Sequence, residues 1–413
     1  MADLMADSLV TQLCRLDLLL LAVVVLYLIY WQYLRIGRTE SVLYGLALDN
    51  PRFQLAQALV AGLAGGLLAT FLFVCVGIPL SGIGIWYIWM VALVLALFSP
   101  RFFCFSYAGS LVSLAHLVWG VPRNLHVPAV LALIGALHLV EAFLVAVNGA
   151  EGATPVYVRS HQGHAVGAFL LQRAWPIPFL ALVAGGLGPA LMPVLPWWPL
   201  IRSEAYVSVL DERLIYSLLP VFAALGYSEL AITCRPREKA RHTASLLVVY
   251  GLLLLALSAC AQHHEGWTLV AIVFAPLGHE AVVYWGRQRG IRGEPLYVAH
   301  RGVMVLGVLP QSPAAKMGLV EGDVIVRFND ECVRSKSELA AAMYPWAIAA
   351  QVEVRNLFTG RTQTLVCEGK VPPLGAILAP GPDEPCIVDL REPGAISRWW
   401  RERRQRWAGG RSF

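Results

Sequence analysis

Two pairs of histidine and glutamate in apolar segments could carry out acid–base or metal chemistry. His138 and Glu141 stand three residues apart, one turn along the same face of a helix, where they can hydrogen-bond. His279 and Glu280 begin the sequence HEAVV. In an HExxH helix, histidines at i and i+4 bind zinc and the glutamate activates water, but Val283 occupies the second histidine position. Because ionisable groups in apolar spans often have a function, a packing pair, a proton relay and a metal site all stay open for His138 and Glu141.

A second constellation, nearer the C-terminal end, indicates binding rather than catalysis. Residues 302–330 read GVMVLGVLPQSPAAKMGLVEGDVIVRFND, in which alternating apolar residues are followed by turns at Pro313, Gly318 and Gly322. The pattern SPA…GL..GD.I resembles the PDZ domains of bacterial HtrA-type proteins. The resemblance implies a small α+β domain that binds an extended peptide, usually a free C-terminus, as an added strand.

The PDZ-like motif also indicates where a peptide would bind. We expect Gly302–Met304 to form the carboxylate loop and Val303–Leu309 to form the strand that the ligand extends. A helix at Ser337–Met343, capped by Ser335 or Ser337, would form the wall of the groove. The expected peptide-binding residues are Gly302, Val303, Met304, Val305, Leu306, Gly307, Leu339 and Met343. The alternative is a PDZ fold that packs on the rest of the chain and binds no free peptide.

The remainder of the chain has the composition of a membrane protein. Of its 413 residues, 57% are hydrophobic and 14% are charged. Apolar runs long enough to cross a bilayer predict a polytopic helical domain with about nine spans. They are Leu16–Leu34, Gln54–Gly77, Ile83–Ser99, Phe102–Trp119, Val130–Val147, Trp175–Leu195, Leu214–Thr233, Ala244–Ala261 and Trp267–Gly286. Several prolines make the sixth of these runs a candidate for a broken or re-entrant helix.

Charge in the loops predicts the orientation. Segments 35–53, 100–101, 148–174, 234–243 and 287–294 hold thirteen basic residues, and the alternate loops with the N-terminus hold four. Basic loops stay in the cytoplasm, which places the N-terminus outside and the PDZ-like domain in the cytoplasm of a multi-pass membrane protein. The net charge of +5 suits an anionic inner leaflet and does not require a nucleic acid as partner.

Three regions follow from these patterns: a multi-span helical membrane domain at 1–290, a PDZ-like domain at 294–370, and a tail at 371–413. The tail begins with Pro372-Pro373, which is typical of a linker. It ends in arginines interleaved with tryptophans, which favour contact with anionic lipid, although a solvated basic tail is the alternative. The predicted membrane-surface residues are Arg398, Trp399, Trp400, Arg401, Arg403 and Arg404.

The membrane region carries a resemblance of its own. Residues 97–108 read LFSPRFFCFSYA, 131–143 read LALIGALHLVEAF and 163–177 read GHAVGAFLLQRAWPI. With a PDZ-like domain following many spans, these segments resemble the MinJ family of polytopic division-site proteins of Firmicutes. The resemblance implies an adaptor without catalytic residues or cofactor, which links the scaffold DivIVA to the Min inhibitor and so helps to place the septum.

Two other classes of protein remain as alternatives. A PDZ domain beside an intramembrane HExxH is the arrangement of site-2-type zinc proteases, so the chain could be a relative that is degenerate at His279-Glu280. A transporter-like protein with a regulatory PDZ domain is the third, since broken helices mark transport sites. No CxxC pair or Cys/His cluster has metal spacing in the sequence, so we expect no resident metal.

Overall fold

A computed structural model describes most of the chain. The described residues are 16–80, 82–160, 163–184, 198–201, 216–298, 302–343, 347–371, 373–381 and 384. They form a helical N-terminal region with an inserted β-hairpin, followed by a β-rich region.

Seven helices make up the frame of the N-terminal region within the described residues. They are α1 (Leu16–Tyr44), α2 (Pro51–Val76), α3 (Ile85–Phe98), α4 (Phe105–Trp119), α5 (Val127–Asn148), α6 (Pro236–Ala261) and α7 (Glu265–Ile291). Five of these, all except α3 and α4, are long and apolar enough to cross a membrane. The first five and the last two of the nine predicted spans fall on these helices.

The sixth and seventh predicted spans, Trp175–Leu195 and Leu214–Thr233, are wrong as helices in their described parts. They form strands β2 (Ala165–Ala184) and β3 (Tyr216–Ala231), which pair antiparallel along sixteen residues of each strand. A shorter strand, β1 (Thr154–Arg159), pairs with the start of β2. The sheet order is β1-β2-β3, and the domain at 1–290 is therefore not wholly helical.

Two prolines explain why β2 can lie against a helix. The N–H of Ala174 donates to a tyrosine hydroxyl of α1 (3.3 Å), and the N–H of Leu180 donates to a threonine hydroxyl of α2 (3.0 Å). Pro176 and Pro178 stand at the intervening positions that face the same way along the strand. Since proline has no N–H, this edge lacks two donors that would need partners in an apolar environment.

Glycines on α2 allow the close approach of this edge. A Cβ atom at Gly62 would lie 1.9 Å from the carbonyl oxygen of Pro176, and one at Gly66 would lie 1.9 Å from that of Pro178. The two contacts advance together along helix and strand, so β2 runs beside α2. Pro176 and Pro178, two of the prolines that suggested a broken helix, are therefore part of a strand-on-helix contact.

Small residues and one buried ion pair hold the other helices together. A Cβ at Gly135 of α5 would lie 3.0 Å from the carbonyl oxygen of Gly251 on α6, which is the close helix approach typical of membrane proteins. Lys239 of α6 is 1% exposed, and its ammonium donates to Glu229 of β3 (2.6 Å) and to the carbonyl of Gly286 on α7 (2.9 Å). This charge is fully engaged and ties the hairpin to both C-terminal helices.

The β-rich region contains the PDZ fold. Its elements are β4 (Val303–Val308), α8 (Pro313–Met317), β5 (Asp323–Phe328), β6 (Glu331–Cys332), α9 (Lys336–Ala342), β7 (Ala347–Asn356), β8 (Thr362–Val371) and β9 (Ala376–Leu378). The sheet order is β8-β7-β5-β4-β9, with β6 paired to β5. The predicted strand from Val303 and the predicted helix after Ser335 are confirmed, and Ser335 is the N-cap.

The predicted linker after residue 370 is wrong over its first part. Residues 376–378 form β9, which belongs to the PDZ sheet, and Leu374 is buried in the domain core. Paired prolines favour a linker because proline cannot donate a hydrogen bond to a sheet, but this restriction does not extend to the residues that follow.

Candidate functional site

Strand β4 is the element on which the predicted peptide site depends. Val303 and Val305 point into the PDZ core, whereas Met304 and Leu306 belong to the apolar cluster that extends through the membrane region. The alternation of a strand places these pairs on opposite faces of the sheet. β4 therefore has one face on its own domain and one on the hairpin region.

The edge of β4 that was expected to receive a peptide is paired with β9 from the same chain. The register is antiparallel and joins Val305 to Leu378 and Val308 to Ala376. The N–H of Leu309 donates to the carbonyl of Gly375 (2.8 Å), and the N–H of Ala379 donates to that of Met304 (2.8 Å). An extended segment added to a sheet edge is the binding mode of PDZ domains, and here β9 occupies that position.

The turn before β9 fixes the strand in place. Gly375 has φ +75°, and a Cβ atom there would lie 2.2 Å from Cβ of Ser312. The N–H of Ala314 donates to the carbonyl of Leu374 (2.9 Å), so the segment also covers the start of α8. Glycine is required at position 375 by its positive φ and by the close approach of Ser312.

Three of the predicted groove residues, Gly302, Leu339 and Met343, contribute to the turn before β4 or to the packing of the PDZ core. Gly302 has φ +107°, and a Cβ atom there would lie 2.5 Å from the carbonyl oxygen of Ile325. Leu339 is fully buried in the PDZ core, and Met343 packs against that core from the end of α9. Leu374, Ala376 and Leu378 belong to the same apolar cluster.

The PDZ fold docks on the hairpin region. Gly307 of β4 approaches Pro155 of β1, with 3.3 Å between a built Cβ and Cγ of the proline. The hydroxyl of Tyr157, also on β1, donates to the carbonyl of Leu378 in β9 (2.6 Å). The ammonium of Lys336 on α9 lies 3.3 Å from the same hydroxyl. β9 is thus held between the PDZ domain and the membrane region.

A second docking contact lies at the start of β5. The hydroxyl of Tyr297, a fully buried residue, donates to Oε1 of Glu321 (2.7 Å). Burial raises the pKa of the Glu321 carboxyl above its usual range, against the opposing effect of the Tyr297 hydrogen bond. Burial and the neighbouring Glu321 carboxylate likewise raise the pKa of Tyr297.

Within the described residues, His138 and His279 come together with a third side chain that the sequence analysis did not select. Sγ of Cys104 lies 3.5 Å from Nε2 of His138 and 3.7 Å from Nε2 of His279. The three donor atoms all lie within 4.8 Å of one another. Cys104 is the N-cap of α4, and the histidines lie within α5 and α7.

Among the described residues, Glu141 and Glu280 do not belong to this cluster. Nδ1 of His138 contacts the carbonyl oxygen of Ile134 (2.7 Å), and Glu141 lies outside the group of donor atoms around Cys104. Glu280 forms an ion pair with Arg101 and accepts a hydrogen bond from the hydroxyl of Tyr107 (2.7 Å). The carboxylate of Glu280 is therefore held by a cation and a phenol.

The arginine- and tryptophan-rich residues at 398–404 lie outside the described residues. The same holds for the prolines at positions 189 and 193 in the sixth predicted span. Lipid contact by the tail thus stays a prediction.

Comparisons with known proteins agree with this architecture. A PDZ domain family model matches residues 304–345. The chain is 26% identical over 232 residues to the cell division topological determinant MinJ of Bacillus subtilis, which is 56% of this chain and 55% of that protein. It is 26% identical over 280 residues to the probable cell division topological determinant MinJ of Lacticaseibacillus paracasei, which is 63% of this chain and 68% of that protein.

A shorter likeness involves an enzyme. The chain is 35% identical over 95 residues to the magnetosome formation protease MamE of Paramagnetospirillum magneticum, which is 22% of this chain and 12% of that protein. The match to the Bacillus determinant spans about half of that protein's length, and both division determinants align with more than half of this chain. With its candidate membrane spans and its PDZ domain, the chain is similar to the MinJ-type division determinants in both sequence and architecture.

Proposed function

We propose that this chain is a membrane-bound adaptor whose PDZ domain captures a partner's peptide and holds it where the division septum forms. The carrying observation is that the edge of β4 already pairs with an added antiparallel strand, β9. That edge is therefore competent for strand addition, and a partner's C-terminus is the ligand class that this mode of binding takes.

In this proposal, β9 competes with the partner for the same edge. The segment is short, only three residues of regular strand, and it is part of the same chain. A tethered competitor multiplies the apparent affinity of a free peptide by the fraction of time for which the site is free. Partner capture then requires that β9 leave β4.

The partners are proposed from the likeness to the division determinants. The relatives are named as topological determinants of cell division, and the MinJ resemblance implies DivIVA on one side and the Min system on the other. We place the PDZ domain in the cytoplasm on the strength of the basic loops, because such loops stay on that side of a membrane. The arginine-rich tail would add contact with anionic lipid.

A protease is the second class of function, and the geometry favours it less. Glu280, which would have to activate water, is held by Arg101 and Tyr107, and Val283 replaces the second histidine. The likeness to MamE covers 22% of this chain.

The competition can be tested with the chain's own segment as the probe. A fluorescent peptide of residues 374–379 (LGAILA) with a free carboxyl terminus is titrated against the full chain in detergent. Gly375→Val should free the edge of β4, because a side chain there collides with Ser312 and is strained at φ +75°. We expect the variant to bind the peptide at least tenfold more tightly than the parent chain.

The matched control is Gly360→Val, since Gly360 also has a positive φ, +68°, but has no neighbour within 4 Å of a built Cβ. Equal peptide affinity in all three chains would reject competition by β9, and no binding by any of them would reject peptide capture.

For the role in division, fluorescent fusions of the full chain and of a chain lacking residues 296–370 are imaged in dividing cells. Unchanged septum position without the PDZ domain would reject the adaptor.

A further inference from the structure

The adaptor function leaves unexplained the cluster of Cys104, His138 and His279 in the helical region. The three residues come from α4, α5 and α7, so the fold rather than one local motif brings them together. His138 is buried, and the other two are partly exposed, which leaves an approach for a small ion.

The spacing of the donor atoms fits a zinc ion. Zinc bound at about 2.3 Å to sulfur and about 2.0 Å to nitrogen, at a tetrahedral angle, holds those two atoms roughly 3.5 Å apart. The two distances from Sγ of Cys104 to the histidine Nε2 atoms are 3.5 and 3.7 Å. One thiolate and two imidazoles form a donor set that zinc takes with three protein ligands and an open fourth position.

The outer contacts orient both imidazoles for metal binding. Nδ1 of His138 faces the carbonyl oxygen of Ile134, which can only accept, so this nitrogen carries the proton. Nδ1 of His279 faces the hydroxyl oxygen of Tyr107 (3.0 Å), whose own proton goes to Glu280. Both Nε2 atoms are therefore left with lone pairs directed at Cys104, the arrangement that metal-bound histidines have.

Without a cation, the cluster has too few protons to provide a hydrogen bond to each of its acceptor atoms. A neutral thiol has one proton to donate, whereas two Nε2 lone pairs face it. Sγ of Cys104 also accepts from the N–H of Ser106 (3.4 Å), so the sulfur already serves as an acceptor. A metal ion resolves the shortage because all three groups then act as donors of electron pairs.

We propose that Cys104, His138 and His279 bind one zinc ion, as a thiolate and two neutral imidazoles. On binding, the thiol loses its proton to solvent and three metal–ligand bonds replace bonds from zinc to water. The ion joins α4, α5 and α7, and so it stabilises the helical region. The carboxylate of Glu280 is engaged by Arg101 and Tyr107, so it is not free to activate a water at the open fourth position.

The test is the metal content of the purified full chain in detergent, measured by mass spectrometry after incubation with zinc and removal of the free ion. We expect about one zinc per chain, and a loss of at least tenfold in Cys104→Ser, His138→Gln and His279→Gln. Cys75→Ser and His263→Gln are the controls, since both residues are exposed and lie outside the donor group, and they should keep the zinc.

Cobalt distinguishes loss of the site from loss of the fold. The parent chain loaded with Co²⁺ should show a thiolate-to-cobalt charge-transfer band, and Cys104→Ser should lose that band while it elutes as the parent chain does in size exclusion. A folded parent chain that takes up neither zinc nor cobalt would overturn the proposal. Zinc retained in Cys104→Ser, or copper found in its place, would overturn the ligand set or the choice of metal.

Discussion

At the scale of single residues, two glycines determine whether the hairpin can pack on α2. Gly62 and Gly66 are one helical turn apart, and each faces a proline carbonyl at a distance that leaves no room for a Cβ atom. The contacts at these positions join helix backbone to strand backbone, so neither side can move a flexible side chain out of the way. We infer that small residues here are a requirement of the fold.

Gly66→Ala tests that requirement. The added methyl group would lie 1.9 Å from the carbonyl oxygen of Pro178, so the hairpin must move away from α2. Overpacking of this kind commonly costs about 1–3 kcal/mol, and we expect a loss in that range in thermal unfolding of the detergent-solubilised chain. The control is Gly266→Ala, because a Cβ at this helical glycine has no neighbour within 4 Å. Equal stability of both variants would contradict the close contact.

The two candidate sites differ in how far they could be predicted from the sequence. Strand β4 was predictable because glycines and prolines stand at fixed offsets within 29 consecutive residues, 302 to 330. The Cys104 cluster was not predictable, since Cys104 is 34 residues from His138 and 175 from His279. Packing of three helices brings these side chains together, and no spacing in the sequence records that packing. The half motif HEAVV marked His279 but could not supply its partners.

At the scale of elements, the long helices, the strand from Val303 and the helix after Ser335 were predicted, and the hairpin was not. An apolar run of about twenty residues has the same length and hydropathy whether it crosses as a helix or lies buried as a strand. The signal that distinguishes them is Pro176-Ile177-Pro178, in which alternate prolines suit one strand edge and disrupt a helix. Strand β9 was missed because it is short: three residues are too few to show an alternating pattern.

The contact between Tyr297, in the segment that follows α7, and Glu321, just before β5, should weaken or strengthen with pH. Burial raises the pKa of the Glu321 carboxyl in the docked state, so the docked PDZ domain holds that proton more tightly than the undocked one. The stabilisation is complete below the pKa of an unburied glutamate. It is lost as the pH rises through the raised pKa, so docking should weaken with rising pH.

Hydrogen exchange of the backbone at residues 292–298, measured at a series of pH values and corrected for intrinsic rates, reports that docking. We expect protection to fall as the pH rises. In Glu321→Gln, the amide oxygen still accepts from the Tyr297 hydroxyl but does not titrate, so the pH dependence should disappear. A slope that persists in Glu321→Gln would assign the effect to another group.

At the scale of the whole molecule, β2 and β3 run in opposite directions beside the helices, in the direction expected of the sixth and seventh predicted spans. β2 runs beside α2 from Gly62 to the end of that helix, where the N–H of Leu80 donates to the carbonyl of Leu182 (2.6 Å). The turn region near Leu200 also lies at this end, since its N–H donates to the carbonyl of Val76 (3.0 Å). β2 thus runs from the middle of α2 past its C-terminal end, and β3 runs antiparallel beside it.

Labelling of introduced cysteines tests this arrangement together with the proposed orientation. Leu200 accepts a hydrogen bond from the side chain of Gln262 in the α6–α7 turn (3.0 Å), so both segments lie at the same end of the molecule. If basic loops stay inside, Leu200→Cys and His263→Cys should react with a membrane-impermeant thiol reagent in intact cells. Arg241→Cys, near the start of α6, should react only after the cells are opened. All three positions are exposed in the structure, and the parent chain gives the background from its own cysteines.

Labelling of Arg241→Cys in intact cells would reverse the orientation. Labelling of Leu200→Cys and His263→Cys on opposite sides would show instead that the hairpin does not cross with α2.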